Sequence, residues 1–216
     1  MLSFLKAGAA ALAISAALLT APSAAVAQDG GSITVTYKDD IATLDPAIGY
    51  DWQNFSMIKA IFDGLMDYEP GTATLRPGLA ESYEISPDGK VFTFKLRDGV
   101  KFHNGREMTA DDVKYSFERT VNPATQSPGA GFLASIDGFD AMQAGEATSL
   151  SGVEILDPKT VQVTLSRPDA TFLSVMALNF SFIVPKEEWK SPAPISAATR
   201  WAPAPSSLPN GHSARS

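Results

Sequence analysis

The spacing of apolar and polar residues changes along the chain and predicts strands and helices in mixed order. Residues 33–37 alternate β-branched with polar positions, which is typical of a strand. Apolar residues recur every three or four positions over 55–65 and over 113–121, which is typical of amphipathic helices. Between them, residues 83–85 and 92–96 alternate on either side of a Pro-Asp-Gly turn, which predicts a β-hairpin.

The second half of the chain repeats this mixture of elements. Residues 152–156 and 160–166 read as a second strand pair, residues 169–178 as a short helix and residues 182–184 as a further strand. Hairpins are local and no regular βαβ succession occurs. The pattern therefore predicts an α+β fold rather than a doubly wound sheet.

Residues 1–27 are typical of a secretory signal. Lys6 precedes an alanine-rich apolar run, Pro22 interrupts it, and small residues lead up to Ala27. The alternative is a membrane anchor, but the apolar run is about 13 residues and a spanning helix needs roughly 20. We expect cleavage after Ala27 and export to the periplasm.

Charge and cysteine content exclude several classes of protein. The 24 acidic and 17 basic residues give a formal net charge of -7 and show no basic patch, so no nucleic-acid partner is expected. The absence of cysteine excludes disulfides, thiolate metal sites, a cysteine nucleophile and a lipid-modified cysteine anchor. The two histidines, His103 and His212, lie far apart, so neither a metal site nor a cofactor is predicted.

Three runs in the middle of the chain carry a resemblance to a known family. They read PGLAESYEISPDGK at 77–90, FTFKLRDGVKFHNG at 92–105 and MTADDVKYSFER at 108–119, with TLDP at 43–46 and IVPKE at 183–187 as further matches. Together they resemble the extracellular solute-binding proteins of family 5, the dipeptide, oligopeptide and nickel receptors of ABC importers. The likeness extends over nearly all of residues 32–188.

The resemblance implies the N-terminal part of a bilobal, type II periplasmic-binding-protein fold. Such a receptor closes around a peptide or similar small solute and docks on the membrane subunits of an ABC permease; a monomer is expected. Residues 28–54 would supply the first strand and loop of domain I. Residues 55–188 would form the α+β subdomain of the first lobe, in which the hairpin and following helix are scaffold.

Beyond Glu188 the sequence departs from the family pattern. Residues 189–216 contain no Asp or Glu and are rich in Ala, Pro and Ser, so this tail is predicted to be disordered. The hypothesis is out-of-frame translation; a natural low-complexity tail is the alternative. Family members are much longer, so we expect that the second lobe is missing and that the product is truncated and unable to bind ligand alone.

One loop has the chemistry of a ligand contact. Tyr50, Asp51 and Trp52 place two aromatic rings beside a carboxylate, which suits a peptide backbone and its amino terminus. The alternative is that the rings of Tyr50 and Trp52 pack onto the helix behind. Asn179 and Phe180 are further candidates because they lie close to the crossing between domains.

Three functions from different classes remain open. The first is a truncated periplasmic receptor for di- or oligopeptides, the second a secreted hydrolase, and the third a stand-alone secreted interaction module. The hydrolase would have to recruit His103 from the scaffold region, and no GxSxG or P-loop motif occurs. No catalytic residue is therefore predicted, and an enzyme is not expected.

Overall fold

The computed structural model describes Thr36 and residues 40–189. The predicted export signal, the remainder of the strand predicted at 33–37 and residues 190–216 of the predicted tail lie outside the described residues. Within the described part, no helix is long and apolar enough to cross a membrane.

Two antiparallel sheets form the β component of the fold. The smaller sheet pairs β1 (Met66–Tyr68) with β2 (Leu75–Pro77). The larger has four strands in the order β3-β4-β6-β5, namely β3 (Ala80–Ile85), β4 (Val91–Leu96), β5 (Val153–Asp157) and β6 (Thr160–Thr164). The two predicted strand pairs are confirmed, and they meet through β4 and β6.

Within residues 40–189, five α-helices and three 3₁₀ turns accompany the sheets. The helices are α1 (Trp52–Ile61), α2 (Ala110–Val121), α3 (Phe139–Gln143), α4 (Phe172–Val175) and α5 (Lys186–Trp189). The 3₁₀ turns are Pro123–Thr125, Ala130–Leu133 and Asn179–Ser181. The α+β class predicted from the pattern is confirmed.

The hairpin of β3 and β4 follows from its turn and its alternation. Gly89 has a φ of +69°, a conformation that glycine adopts without steric cost. The amide of Ser86 donates to the carbonyl of Val91 at 2.9 Å, closing the turn. Alternate β4 residues, Phe92 and Phe94, then point into the core.

Helix α2 supplies the central support of the core. It begins after Thr109, whose amide donates to the Asp112 carboxylate at 3.0 Å, as in a capping box. Val113, Phe117 and Val121 recur on one face and are fully buried against the sheet. The helix predicted from this stripe is confirmed.

A second, smaller apolar cluster lies beside the sheet core. It joins Ile58 and Phe62 to Phe182, Val184 and Trp189. The cluster ties α1 to the last described segment of the chain. Residues 40–54 and 55–189 belong to the same packed unit. The domain boundary expected after residue 54 stays a prediction.

An arginine clamp fixes the end of this last segment. The Arg106 guanidinium donates two hydrogen bonds to Asp112 at 2.7 and 2.8 Å and two to Glu187 at 2.6 and 2.8 Å. These hydrogen bonds from Arg106 lower the pKa of Glu187. The clamp therefore holds α5 against the start of α2.

Four local predictions require correction. Residues 182–184 do not form a strand. The amide of Ile183 donates to the loop carbonyl of Asp63, and the amide of Val184 donates to the Ser116 hydroxyl. The helix predicted over 169–178 is only Phe172–Val175, and the helix predicted over 55–65 is Trp52–Ile61. Trp189, assigned to the disordered tail, lies buried in α5.

Candidate functional site

The loop before α1 is held by an ion pair with α2. The Asp45 carboxylate accepts the amide of Ala47 at 2.9 Å, and the carbonyl of Asp45 accepts the amides of Ile48 and Gly49. Arg119 on α2 donates both terminal nitrogens to the same carboxylate, one of them at 2.9 Å. Because both side chains are largely buried, this pair anchors residues 45–51, named here the 45–51 loop, to the scaffold.

Asp51 ends the 45–51 loop and caps α1. Its Oδ1 accepts the amide of Asn54 at 2.9 Å, and its Oδ2 accepts the Asn54 side-chain nitrogen at 2.7 Å. Both carboxylate oxygens therefore already accept a hydrogen bond. The carboxylate is exposed, but the ammonium contact predicted for it would compete with the cap.

Tyr50 and Trp52 project from this loop into solvent. Trp52 is 87% exposed and Tyr50 is 66% exposed. The alternative in which both rings pack onto the helix behind is wrong for Trp52. The Tyr50 ring lies against Phe180 instead, with ring centroids 5.7 Å apart.

Asn179 and Phe180 lie directly behind the loop. Asn179 is 1% exposed, and its Nδ2 donates to the carbonyl oxygens of Gly49 at 2.6 Å and Pro46 at 3.2 Å. The carbonyl of Phe180 accepts the Thr120 hydroxyl at 2.9 Å. The structure thus brings all five predicted site residues together, with Asn179 holding the loop from beneath.

Phe132 belongs to the same surface, although the sequence analysis missed it. Its ring is 42% exposed and stacks on Phe180 with centroids 5.6 Å apart and planes 16° apart. The signal available in the sequence was an aromatic residue directly after the Gly129-Ala130-Gly131 turn.

A cavity of about 660 Å³ opens on the side of α2 next to the Asp45–Arg119 pair. Its walls include Tyr115 and Trp189, and the Trp189 ring lies 4.4 Å from the Arg119 guanidinium carbon. Burial raises the pKa of Tyr115. The Arg119 guanidinium, which lies in this wall, is already paired with the Asp45 carboxylate.

The described residues give little support for metal chemistry. Residues 40–189 contain no cluster of three or more His, Asp or Glu side chains able to hold a metal ion. His103 is exposed in the turn that follows Phe102. What the described surface offers is an aromatic face with a polar frame behind it, an arrangement suited to binding.

Comparison with known proteins defines the class to which this fold and surface belong. The sequence model of the bacterial extracellular solute-binding proteins, family 5, matches residues 74–199, more than half of the chain. The chain therefore belongs to family 5 of the bacterial extracellular solute-binding proteins, a family of binding proteins rather than enzymes. The match ends at residue 199. It therefore extends past Glu188, the residue at which the family likeness was expected to end.

Two curated relatives illustrate the similarity. The dipeptide-binding protein of Escherichia coli is 40% identical over 136 residues, which cover 59% of this chain and 24% of that protein. Di/tripeptide-binding protein 2 of Pseudomonas aeruginosa is 35% identical over 180 residues, 79% of this chain and 33% of that protein. The chain thus spans about a quarter to a third of the length of these relatives.

Solved structures give the same result for the fold. The murein tripeptide binding protein MppA of Escherichia coli superposes with a TM-score of 0.68 and 35% identity, over 73% of this chain and 31% of that one. The substrate-binding domain of an oligopeptide ABC transporter from Bacillus anthracis gives a TM-score of 0.69 at 29% identity, over 72% and 30%. The predicted family and the partial type II fold are confirmed.

Proposed function

We propose that this chain acts in the peptide-binding component of an ABC importer, as a wall of the ligand cleft. The observation that carries the proposal is the exposed aromatic face of Tyr50 and Phe132 over Phe180, in a chain of family 5. The names of the relatives point to dipeptides, tripeptides and oligopeptides as the class of solute. Binding rather than catalysis is the proposed activity.

The predicted site residues divide into two roles in this proposal. Tyr50 and Trp52 contact the ligand directly because their rings face solvent. Asp51, Asn179 and Phe180 act mainly as support, since the first caps α1 and the other two are buried. All five remain part of the proposed ligand-binding set.

The proposed mechanism is lobe closure followed by delivery to a permease. Residues 28–54 and 55–188 would contribute domain I and its subdomain, and the described residues supply one wall of a cleft that requires two. We therefore propose that the 216-residue chain alone has no peptide affinity measurable by isothermal titration. Isothermal titration with dipeptides and tripeptides tests this, and micromolar binding by the chain would overturn it.

A chimera tests the binding function itself. Residues 40–189 replace the corresponding segment of di/tripeptide-binding protein 2 of Pseudomonas aeruginosa, which aligns over 180 residues and supplies the remainder of the cleft. We expect the folded chimera to bind peptides, and we expect the same chimera carrying Tyr50→Ala and Phe132→Ala to bind more weakly. A chimera that melts cooperatively but binds no peptide in titration contradicts the proposal.

Export to the periplasm is the proposed localisation, in line with the periplasmic relative MppA. Residues 1–27 act as the signal, cleavage follows Ala27, and the exported chain is a monomer. Mass spectrometry of the periplasmic fraction checks this, because cleavage after Ala27 leaves Gln28 as the first residue. A product retaining Met1 would contradict it.

The out-of-frame origin of residues 189–216 also stays a proposal. The abrupt loss of acidic residues after Glu188 supports it, whereas the family match to residue 199 and the buried ring of Trp189 favour a natural continuation. Sequencing the gene across codon 188 and translating all three frames distinguishes the two. Another frame that restores a long family sequence supports the frame change; three short frames refute it.

An interaction module is the second candidate function. The observation in its favour is that the sheet and α2 enclose one continuous apolar core within residues 65–183. Such a module would unfold cooperatively in urea as a body ending near Glu188. Limited proteolysis that degrades the chain without leaving such a fragment would exclude it.

A further inference from the structure

The rings of Tyr50 and Phe132 each contact the ring of Phe180, and these three rings are named here the aromatic row. The central ring, Phe180, is 3% exposed, while the outer two remain open to solvent. The centroid separations of 5.7 and 5.6 Å lie within the range of favourable aromatic pairs. The row therefore presents two ordered aromatic surfaces rather than isolated exposed side chains.

Gly129 makes the aromatic row possible. A Cβ atom built on Gly129 would lie 2.1 to 2.4 Å from three atoms of the Phe180 ring, far inside van der Waals contact. Any side chain at this position must therefore displace the ring. Gly131, two residues further along the same turn, has open space where its Cβ would be.

Both carboxylates near the aromatic row already accept hydrogen bonds from within the chain. Both oxygens of Asp51 accept hydrogen bonds from Asn54, and Asp45 is paired with Arg119. In the described part of the chain, guanidinium groups lie over the rings of Phe102 and Trp189, and neither ring belongs to the row. The rings of Tyr50 and Phe132 are therefore exposed and carry no guanidinium of the described residues, so a planar group of a ligand can stack on them.

We propose that the aromatic row selects ligands carrying an uncharged aromatic side chain, and that Gly129 determines this specificity by keeping Phe180 in line. The statement that the ligand is a peptide rests on the proposed function. The preference for an aromatic side chain is argued from the described residues alone, and it is measured separately from the proposed function. Stacking on Tyr50 or Phe132 supplies the preference over an aliphatic side chain of similar size.

Nuclear magnetic resonance titration of the 216-residue chain tests the preference. The probes are N-acetyl-tryptophanamide, N-acetyl-leucinamide and N-acetyl-argininamide, which carry no charged peptide terminus. We expect shifts centred on Tyr50 and Phe132, and an affinity for the tryptophan probe at least about threefold above that for the leucine probe. Equal or weaker binding of the tryptophan probe, or shifts centred elsewhere, would overturn the proposal.

Two glycine variants provide a matched pair. Gly129→Ala is expected to abolish the threefold preference by displacing Phe180, whereas Gly131→Ala is expected to retain it. Equal preferences in both variants would refute the role of Gly129. If Gly129→Ala fails to fold by circular dichroism, Phe132→Leu serves instead, because it keeps an apolar side chain and removes the ring; an unchanged preference in Phe132→Leu refutes the proposal.

The outcomes separate this inference from the proposed function. A chimera that binds no peptide while the chain still prefers the tryptophan probe rejects the peptide function and retains the aromatic row. A chimera that binds aromatic and aliphatic peptides equally well, with no preference among the probes, rejects the row and retains the function.

Discussion

Two neighbouring regions of this protein are held together in different ways. The sheet scaffold, made of β3–β6 and α2, is stabilised by apolar side chains that alternate along strands or recur along one helix face. The 45–51 loop and the aromatic row are instead held by a few polar contacts from Arg119, Asn179 and Thr120. The scaffold therefore resists small changes, while the surface depends on a few named atoms.

The largest expected effect is the loss of a ring from the scaffold. Phe117→Ala leaves a cavity under the sheet and is expected to lower the free energy of unfolding by about 3–5 kcal/mol. Phe132→Ala, the matched change on the exposed surface, is expected to cost less than about 1 kcal/mol. Urea unfolding of both variants measures the difference, and equal losses would remove the distinction between the regions.

The next effect concerns the buried ion pair beneath the loop. Arg119→Leu leaves the Asp45 carboxylate buried without its partner and is expected to cost about 3 kcal/mol. The control is Arg76→Leu, which breaks the half-exposed pair with Asp67 and is expected to cost at most about 1 kcal/mol. Thermal unfolding compares them; a neutral Arg119→Leu would show that the loop is anchored by other contacts.

Asn179 offers a smaller but more local test. Asn179→Ala removes two hydrogen bonds to loop carbonyls and is expected to cost about 1–3 kcal/mol. The side chain of the exposed Asn122 accepts the nearby amide of Ala124, so Asn122→Ala should cost about 1 kcal/mol or less. Amide hydrogen exchange is expected to rise in residues 47–50 for Asn179→Ala alone; uniform exchange would contradict a local role.

The smallest effect depends on pH and arises at the junction of α1 and β1. Burial, with a contribution from Asp67, raises the pKa of Asp63 to about 6 from 3.8. The folded chain then holds the proton more tightly than the unfolded chain, so this group lowers stability as pH rises from about 4 to 6. Asp63→Asn is expected to gain about 1–2 kcal/mol above pH 6.

A control carboxylate fixes the sign of that pH effect. Hydrogen bonds, first from Ser86, lower the pKa of the exposed Asp88, so Asp88→Asn should not stabilise the protein above pH 6. Stability curves between pH 4 and 8 compare the two variants with the parent. An Asp63→Asn curve parallel to that of the parent would reject the raised pKa.

Local pattern was sufficient for the scaffold and insufficient for the surface. The Pro-Asp-Gly turn, the alternation of Phe92 and Phe94 and the stripe beginning at Val113 each depend on neighbours close in sequence, and the corresponding elements were predicted. Residues 182–184 were predicted as a strand because they are apolar. Their amides bond to a loop carbonyl and to Ser116, which no periodicity encodes.

The candidate site shows the same division. Tyr50, Asp51 and Trp52 could be selected from the sequence because rings and a carboxylate stand together in one loop. The roles of these residues could not be assigned from the sequence, since Asp51 caps a helix. Phe132 could not be selected at all, because it reaches the site only through the turn at Gly129, which lies against Phe180. Contacts between residues 50, 132 and 180 span distances along the chain over which no local signal extends.

The sequence by itself determined the family, the α+β class and the elements of the scaffold, because turn chemistry and hydrophobic period act over a few residues. The tertiary structure alone decided which loops meet, which carboxylates are paired and which rings remain exposed. Those outcomes depend on the packing of distant segments around α2. Asn179, for example, reaches the carbonyl of Gly49 across 130 residues of sequence.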